Sequence, residues 1–172
     1  MRKVLFSITM LFVLFTNLTA SSFDKQIQGN WYYHISIPLD KTITMHINGN
    51  VNYMFNHKAS VLINISFKEN SGLESPVFLV NAMEKWEIQN NILLEEILQS
   101  DVIVDKIVLK QNPELKEFKD LLEKICVKGL ANTSKIKSIK NDTMIIDVDG
   151  TEIIATRKPP FKLNITNHIN KR

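Results

Sequence analysis

Cysteine is almost absent from this chain: among 172 residues only Cys126 is present. An intrachain disulfide is therefore impossible, which excludes a disulfide-stapled small domain. Five prolines and five glycines are too few for a collagen or a low-complexity chain, and no Gly/Ser-rich or Pro-rich linker divides the sequence. Charge of one sign is also lacking, with 21 Lys and Arg against 18 Asp and Glu. Arg2 and Lys3 fall in a segment read below as removable, and without them the net charge drops from +3 to +1. A nucleic-acid partner is not expected from that balance. Enzyme signatures are missing too: there is no Gly-x-Ser-x-Gly, no phosphate-binding loop and no His-Glu-x-x-His. The chain is expected not to be an enzyme and to use no cofactor.

What is present begins with an export signal. Arg2-Lys3 is a short basic start, and Val4 to Phe15 is apolar except for Ser7 and Thr9. Thr16-Asn17 then leads to the small residues around Ala20, which suit a signal peptidase. An apolar run of about a dozen residues is shorter than the ~20 needed to span a bilayer. Residues 1–20 are read as a signal peptide and the product as exported, either periplasmic or secreted. About 150 residues remain, enough for one well-buried core. Residues 21–158 form the expected domain and 159–172 a polar C-terminal tail. Cys126 is read as a small buried hydrophobe.

Two-residue alternation dominates the rest. Trp31, Tyr33, Ile35 and Ile37 share one face until Pro38 breaks the run. Ile43, Met45 and Ile47 alternate up to Asn48-Gly49-Asn50, read as a turn; Val51, Tyr53 and Phe55 follow, then Val61, Ile63, Ile65 and Phe67. Pro76 opens an apolar run to Val80. Trp86–Gln89 and Ile92–Glu95 flank Asn90-Asn91, a tight hairpin because Asn tolerates positive φ. Val102 to Leu109 reads as a further strand. Asn112 and Pro113 mark a helix start, Leu115, Phe118, Leu121, Leu122 and Ile125 recur at helical spacing, and Gly129 ends it. Three last strands follow, Ile136–Ile139, Thr143–Val148 and Thr151–Thr156, turned at Asn141-Asp142 and Asp149-Gly150. Eight or nine short antiparallel strands with one late helix predict an all-β fold, an up-and-down barrel or a strongly curved sheet. A barrel is preferred, since one helix cannot cover a large open sheet and closure removes its edges. An α+β sheet packed on its helix is the rival, though such folds usually place that helix near the N-terminus.

Gly29-Asn30-Trp31 has the Gly-x-Trp form found at the first strand of lipocalins and the wider calycin group, and Arg157 closes the last strand. The chain resembles that family, and in layout resembles small secreted lipocalin-like proteins of gammaproteobacteria. The resemblance runs over residues 25–158 and includes Trp86 before its hairpin, the Pro113 helix and the Asp149-Gly150 turn. It implies that Gly29, Trp31 and Arg157 close the barrel, with a guanidinium stacked on an indole. Two features depart from the family: the helix precedes the last three strands rather than following the eighth, and the usual cysteines are absent.

Alternation places Tyr33, Ile35, Met45, Tyr53, Phe55, Ile63, Ile65, Phe67, Trp86 and Ile88 inward. Such a lining suits a small hydrophobic or lipid-like ligand, and equally a core filled by side chains. The first alternative is an exported carrier; the second is a solid-cored structural or interaction module of the cell envelope. No His, Cys or carboxylate group has metal-ligand spacing, so no metal is expected: His34 and His46 face outward, His57 ends a strand and His168 lies in the tail. Asp147, Asp149 and Glu152 are explained by turn chemistry. Residues 84–123 carry net charge −5, whereas 124–140 hold five Lys and no acid. Lys128, Lys135, Lys137 and Lys140 are thus a candidate contact for an anionic envelope surface.

Overall fold

A computed structural model of the chain describes residues 23–72 and 78–159. The segment read as a signal peptide, the strand start expected at Pro76, and the tail from 160 with His168 lie outside the described residues. A short helix, α1 (Phe23–Ile27), leads into β1 (Gly29–Pro38), β2 (Ile43–Tyr53), β3 (Lys58–Glu69), β4 (Phe78–Gln89) and β5 (Ile92–Ile103). Two helices follow, α2 (Lys106–Gln111) and α3 (Pro113–Ile125), and then β6 (Ala131–Lys140), β7 (Thr143–Val148) and β8 (Thr151–Thr156). All eight strands pair antiparallel with their sequence neighbours, and β1 meets β8, closing the barrel. The fold is the all-β up-and-down barrel that the strand pattern and turns predict.

The turns show why the chain reverses where it does. Asn90 and Asn91 have φ of 51° and 65°, Asn141 and Asp142 of 50° and 61°, and Asp149 and Gly150 of 49° and 86°. Positive φ at both central positions gives the twist that matches two antiparallel strands. Asn48-Gly49-Asn50 does not turn. It lies within the uninterrupted β2, where Gly49 pairs with Tyr33 of β1 and Ile63 of β3. Alternation stays in phase across it, so Met45, Ile47, Gly49, Val51 and Tyr53 all face inward. A Cβ on Gly49 would overlap the Tyr33 ring, so the glycine makes room for the phenol to lie across β2. Asn48 and Asn50 face outward, where Asn48 bonds the His34 ring (Oδ1 to Nδ1, 2.7 Å). The real reversal comes later, between Met54 and His57, where His57 has φ of 57°. Phe55 therefore sits in that turn, 83% exposed, and not on the inner face.

The segment from Val102 to Leu109 also departs from expectation. β5 ends at Ile103, and the Asp105 side chain accepts a 2.7 Å bond from the Ile107 amide, capping α2. A β-branched run thus turns helical where a carboxylate satisfies one of its first free amides. Pro113 opens α3, but Asn112 spends its side chain on the Val108 carbonyl of α2 instead of capping α3.

Two apolar clusters fill the interior. At one end α1 plugs the barrel with fully buried Ile27, beside Trp31, Tyr53, Trp86, Leu93, Ile136 and Met144. Toward the other, Ile65, Phe78, Val80 and Val102 meet Leu122 and Phe118 of α3. Phe67, Phe78 and Phe118 form edge-to-face ring pairs with centroids 5.2–6.4 Å apart. The helix read from its apolar spacing therefore covers one end of the barrel. Replacing Gly49 with Ala should cost about 1–3 kcal/mol, because the added methyl must displace the Tyr33 ring. Urea denaturation checks this, and a variant as stable as the parent would show that the ring is not seated there.

Candidate functional site

Closure of the barrel rests on a narrow seam. Only Tyr32–Thr156 and Tyr33–Ala155 pair across β1 and β8. Arg157 continues the seam: its guanidinium carbon stands 3.8 Å from the Trp31 ring centre, and Nη2 donates to the Gln26 carbonyl at 2.6 Å. Trp31 Nε1 in turn donates to the Ile27 carbonyl at 2.5 Å. Gly29, at φ 101°, lies where a Cβ would come within 2.7 Å of Arg157 Nη1. The three residues that the family resemblance singles out are thus brought together at the α1 end.

Inside, the lining expected from alternation divides by depth. Tyr53, Ile65, Trp86 and Ile88 are buried, while Tyr33, Ile35, Met45, Ile63 and Phe67 are half-buried. Tyr53, Trp86 and Ile88 belong to the α1-end cluster, against which Tyr33 and Ile63 pack; Met45, Ile65 and Phe67 belong with α3. Phe55 is the one residue of the expected lining that the structure puts outside.

Sequence reasoning missed the polar part of this interior. Glu84 stands in the inward register of β4, between Ala82 and Trp86, and Glu95 stands inward on β5 as the partner of Trp86. A bulge in β5 sets this register: Met83 pairs with Gln99 and Glu84 with Ile97, leaving Leu98 extra. Tyr53 Oη donates a 2.6 Å bond to Glu95 Oε1. Burial, and then the charge of Glu95, push the Glu84 carboxyl up to about 7. Burial also raises Glu95, although the Tyr53 bond works against it. Both phenols are raised, chiefly by burial and then by Glu95. Near neutral pH the barrel therefore holds two neutral phenols and a pair of carboxyls that resists losing its second proton. Glu84, Glu95 and Tyr33 feel this desolvation yet remain only half-buried. The signal for them was available: extending the alternation of Val80 and Ala82 by one step reaches Glu84.

The outer surface holds the remaining polar features. A depression of about 630 Å³ crosses β2–β5 on the outside, lined by Asn50, Ser60, Asn81, Gln99 and Asp101 among others. A second, of about 440 Å³, lies between β5 and the end of α3, beside Cys126. His34 and His46 stack with ring centres 5.5 Å apart, bridged by Ser36 Oγ at 2.8 and 2.9 Å. Among the described residues no group of three or more His, Cys, Asp or Glu could hold a metal ion. Lys137 bonds Asp147 at 2.9 Å and Glu152 at 2.7 Å, so part of the basic segment is neutralised across β6–β8. Lys128, Lys135 and Lys140 are exposed.

No known family model matches this chain, and no curated protein matches it significantly. The geometry defines the class, a closed eight-stranded antiparallel barrel consistent with a lipocalin-like fold. The interior carboxyls give that class a pH signature. Glu84 holds its proton to a higher pH when folded than when unfolded, so the folded chain binds more protons between about 4.5 and 7, and stability falls as pH rises through that window. Raising pH from about 5 to 7.5 should cost roughly 2 kcal/mol and lower the melting temperature by several degrees. The Glu84→Gln variant should lose most of that slope in calorimetry. A parent protein with the same slope as the variant would place Glu84 in free solvent.

Proposed function

We propose that this chain is an exported lipocalin-like protein of the cell envelope that binds a small, mainly apolar molecule inside its barrel, acting by binding and not by catalysis. The observation that carries this reading is the lining. Half-buried Tyr33, Ile35, Met45, Ile63 and Phe67 line apolar walls around a few inward polar groups. Apolar walls give affinity and a few placed polar groups fix orientation, which is the common composition of a small-molecule site. Arg157 and Trp31 brace the α1 end, so access belongs to the end that α3 covers. The Gly29-Asn30-Trp31 start, the Arg157 close and the basic, apolar N-terminal segment support the kinship with small secreted lipocalin-like proteins of gammaproteobacteria. Exposed Lys128, Lys135 and Lys140 would face anionic envelope surfaces in that setting.

Native mass spectrometry on protein isolated from its host's envelope fraction, followed by organic extraction, tests the reading. The expected result is a stoichiometric extra mass that solvent releases. A bare protein mass, together with no uptake of any added amphiphile, would favour a filled barrel acting through its surface.

A further inference from the structure

Polar side chains reach the barrel interior from several strands, among them Tyr33 of β1, Tyr53 of β2, Glu84 of β4, Glu95 of β5 and Ser134 of β6. Among the described residues neither the Glu84 carboxyl nor the Tyr33 hydroxyl has a hydrogen-bond partner or ion pair. Ser134 is an independent observation of the same kind. It is only 6% exposed, and its Oγ is buried without any partner. It pairs with Leu93 on the strand that carries Glu95 two residues further on, and shares the inner face with buried Ile136. Register therefore sets its hydroxyl diagonally beside Glu95. Buried polar groups are nearly always bonded, so the orphaned Ser134 hydroxyl, set diagonally from a Glu95 that is bonded to Tyr53, and the unbonded Glu84 carboxyl mark a place where another molecule completes the bonding.

The sign of the charge is equally informative. The ion pairs among the described residues, Lys85–Glu96, Lys119–Glu123 and Lys137 with Asp147 and Glu152, leave out both interior carboxyls. Two carboxyls enclosed by apolar walls with no cation are costly to ionise, and a cation brought in from outside removes that cost. A metal ion would need more ligands than two carboxyls provide, whereas an organic ammonium needs acceptors on one side and apolar or aromatic surface on the other. Tyr33 supplies a ring beside the carboxyls, and Trp86 adjoins Tyr53 with ring centres 5.7 Å apart. Ile47, Ile63 and Phe67 continue the wall toward α3.

We propose that the molecule taken by this barrel is an amphiphile carrying a protonated amine, its ammonium between Glu84 and Glu95 and its hydrocarbon part along the inner faces of β2 and β3. This rests on the small-molecule reading above and names the ligand class. Fatty acids are disfavoured, because their carboxylate would meet two carboxyls of like charge.

Isothermal titration of the purified full chain with octylamine, octanol and octanoate at one pH tests the proposal with ligands of matched length. Octylamine should bind about tenfold or more tightly than octanol, with octanoate weakest. In Glu84→Gln and Glu95→Gln, which keep side-chain shape, octylamine should fall to about the octanol affinity while octanol is unchanged. The ranking on the parent protein stands alone if a variant does not fold. Equal affinity for octylamine and octanol, a preference for octanoate, or an amine preference that survives both substitutions would overturn the ammonium inference while leaving the cavity in place. Failure of all three ligands to bind would overturn the small-molecule reading itself.

Discussion

Only two residue pairs, Tyr32–Thr156 and Tyr33–Ala155, join the first strand of this barrel to the last, and everything enclosed depends on that seam. An eight-stranded sheet left open would expose two unpaired edges and wet its inner face. Two ladder positions are a weak closure by themselves. Arg157 extends it, lying on Trp31 and bonding the Gln26 carbonyl, so that α1 is tied to the end of β8 through one side chain. The indole then bonds back to the Ile27 carbonyl. Sheet, plug and final strand are in this way held at one point, and the fully buried Ile27 keeps water from that end.

Tyr33 connects the seam to the interior chemistry. Its backbone pairs with Ala155 on one side and with Gly49 on the other, and its ring occupies the space that a side chain at position 49 would fill. The ring is held beside Glu84 and Glu95, and burial that raises the phenol also raises both carboxyls. A purely apolar filling would make a more stable barrel, since ionisable groups without counter-charges oppose folding at neutral pH. Retaining them in such a place is characteristic of a site and not of a core. At the far end α3 closes the barrel through Phe118, Leu115 and Leu122. Its opposite face, with Leu121 and Ile125, is exposed.

Most of the fold was legible because its determinants are local. The three paired-residue turns are written as Asn90-Asn91, Asn141-Asp142 and Asp149-Gly150, and the alternating strands between them leave little choice but antiparallel neighbours. The helix over Pro113–Ile125 was legible from apolar spacing. The errors came where a local signal met a longer-range one. Asn48-Gly49-Asn50 has the composition of a turn, but Tyr33 needs that glycine inside a strand; the reversal comes at Met54–His57, and Phe55 was set inward by carrying the alternation past Tyr53 into it. Val102–Leu109 has strand composition, but Asp105 caps a helix within it. The apolar lining could be read from alternation, whereas the polar cluster could not be weighed as a site. Glu84 and Glu95 look like surface charges until closure of the sheet turns their face inward. Ser134 becomes informative only once its lack of a partner is seen.

The placement of these two carboxyls inside the barrel is the claim on which the functional reading rests. Carbon-13 NMR of the side-chain carboxyls, titrated on the full chain with Glu84 and Glu95 assigned by substitution, observes it without any ligand. Glu84 should titrate near pH 7, and Glu95 above the ordinary carboxylate range, as a coupled pair. If both titrate independently at about 4.3, the value of a glutamate in free water, they face solvent and the interior site does not exist.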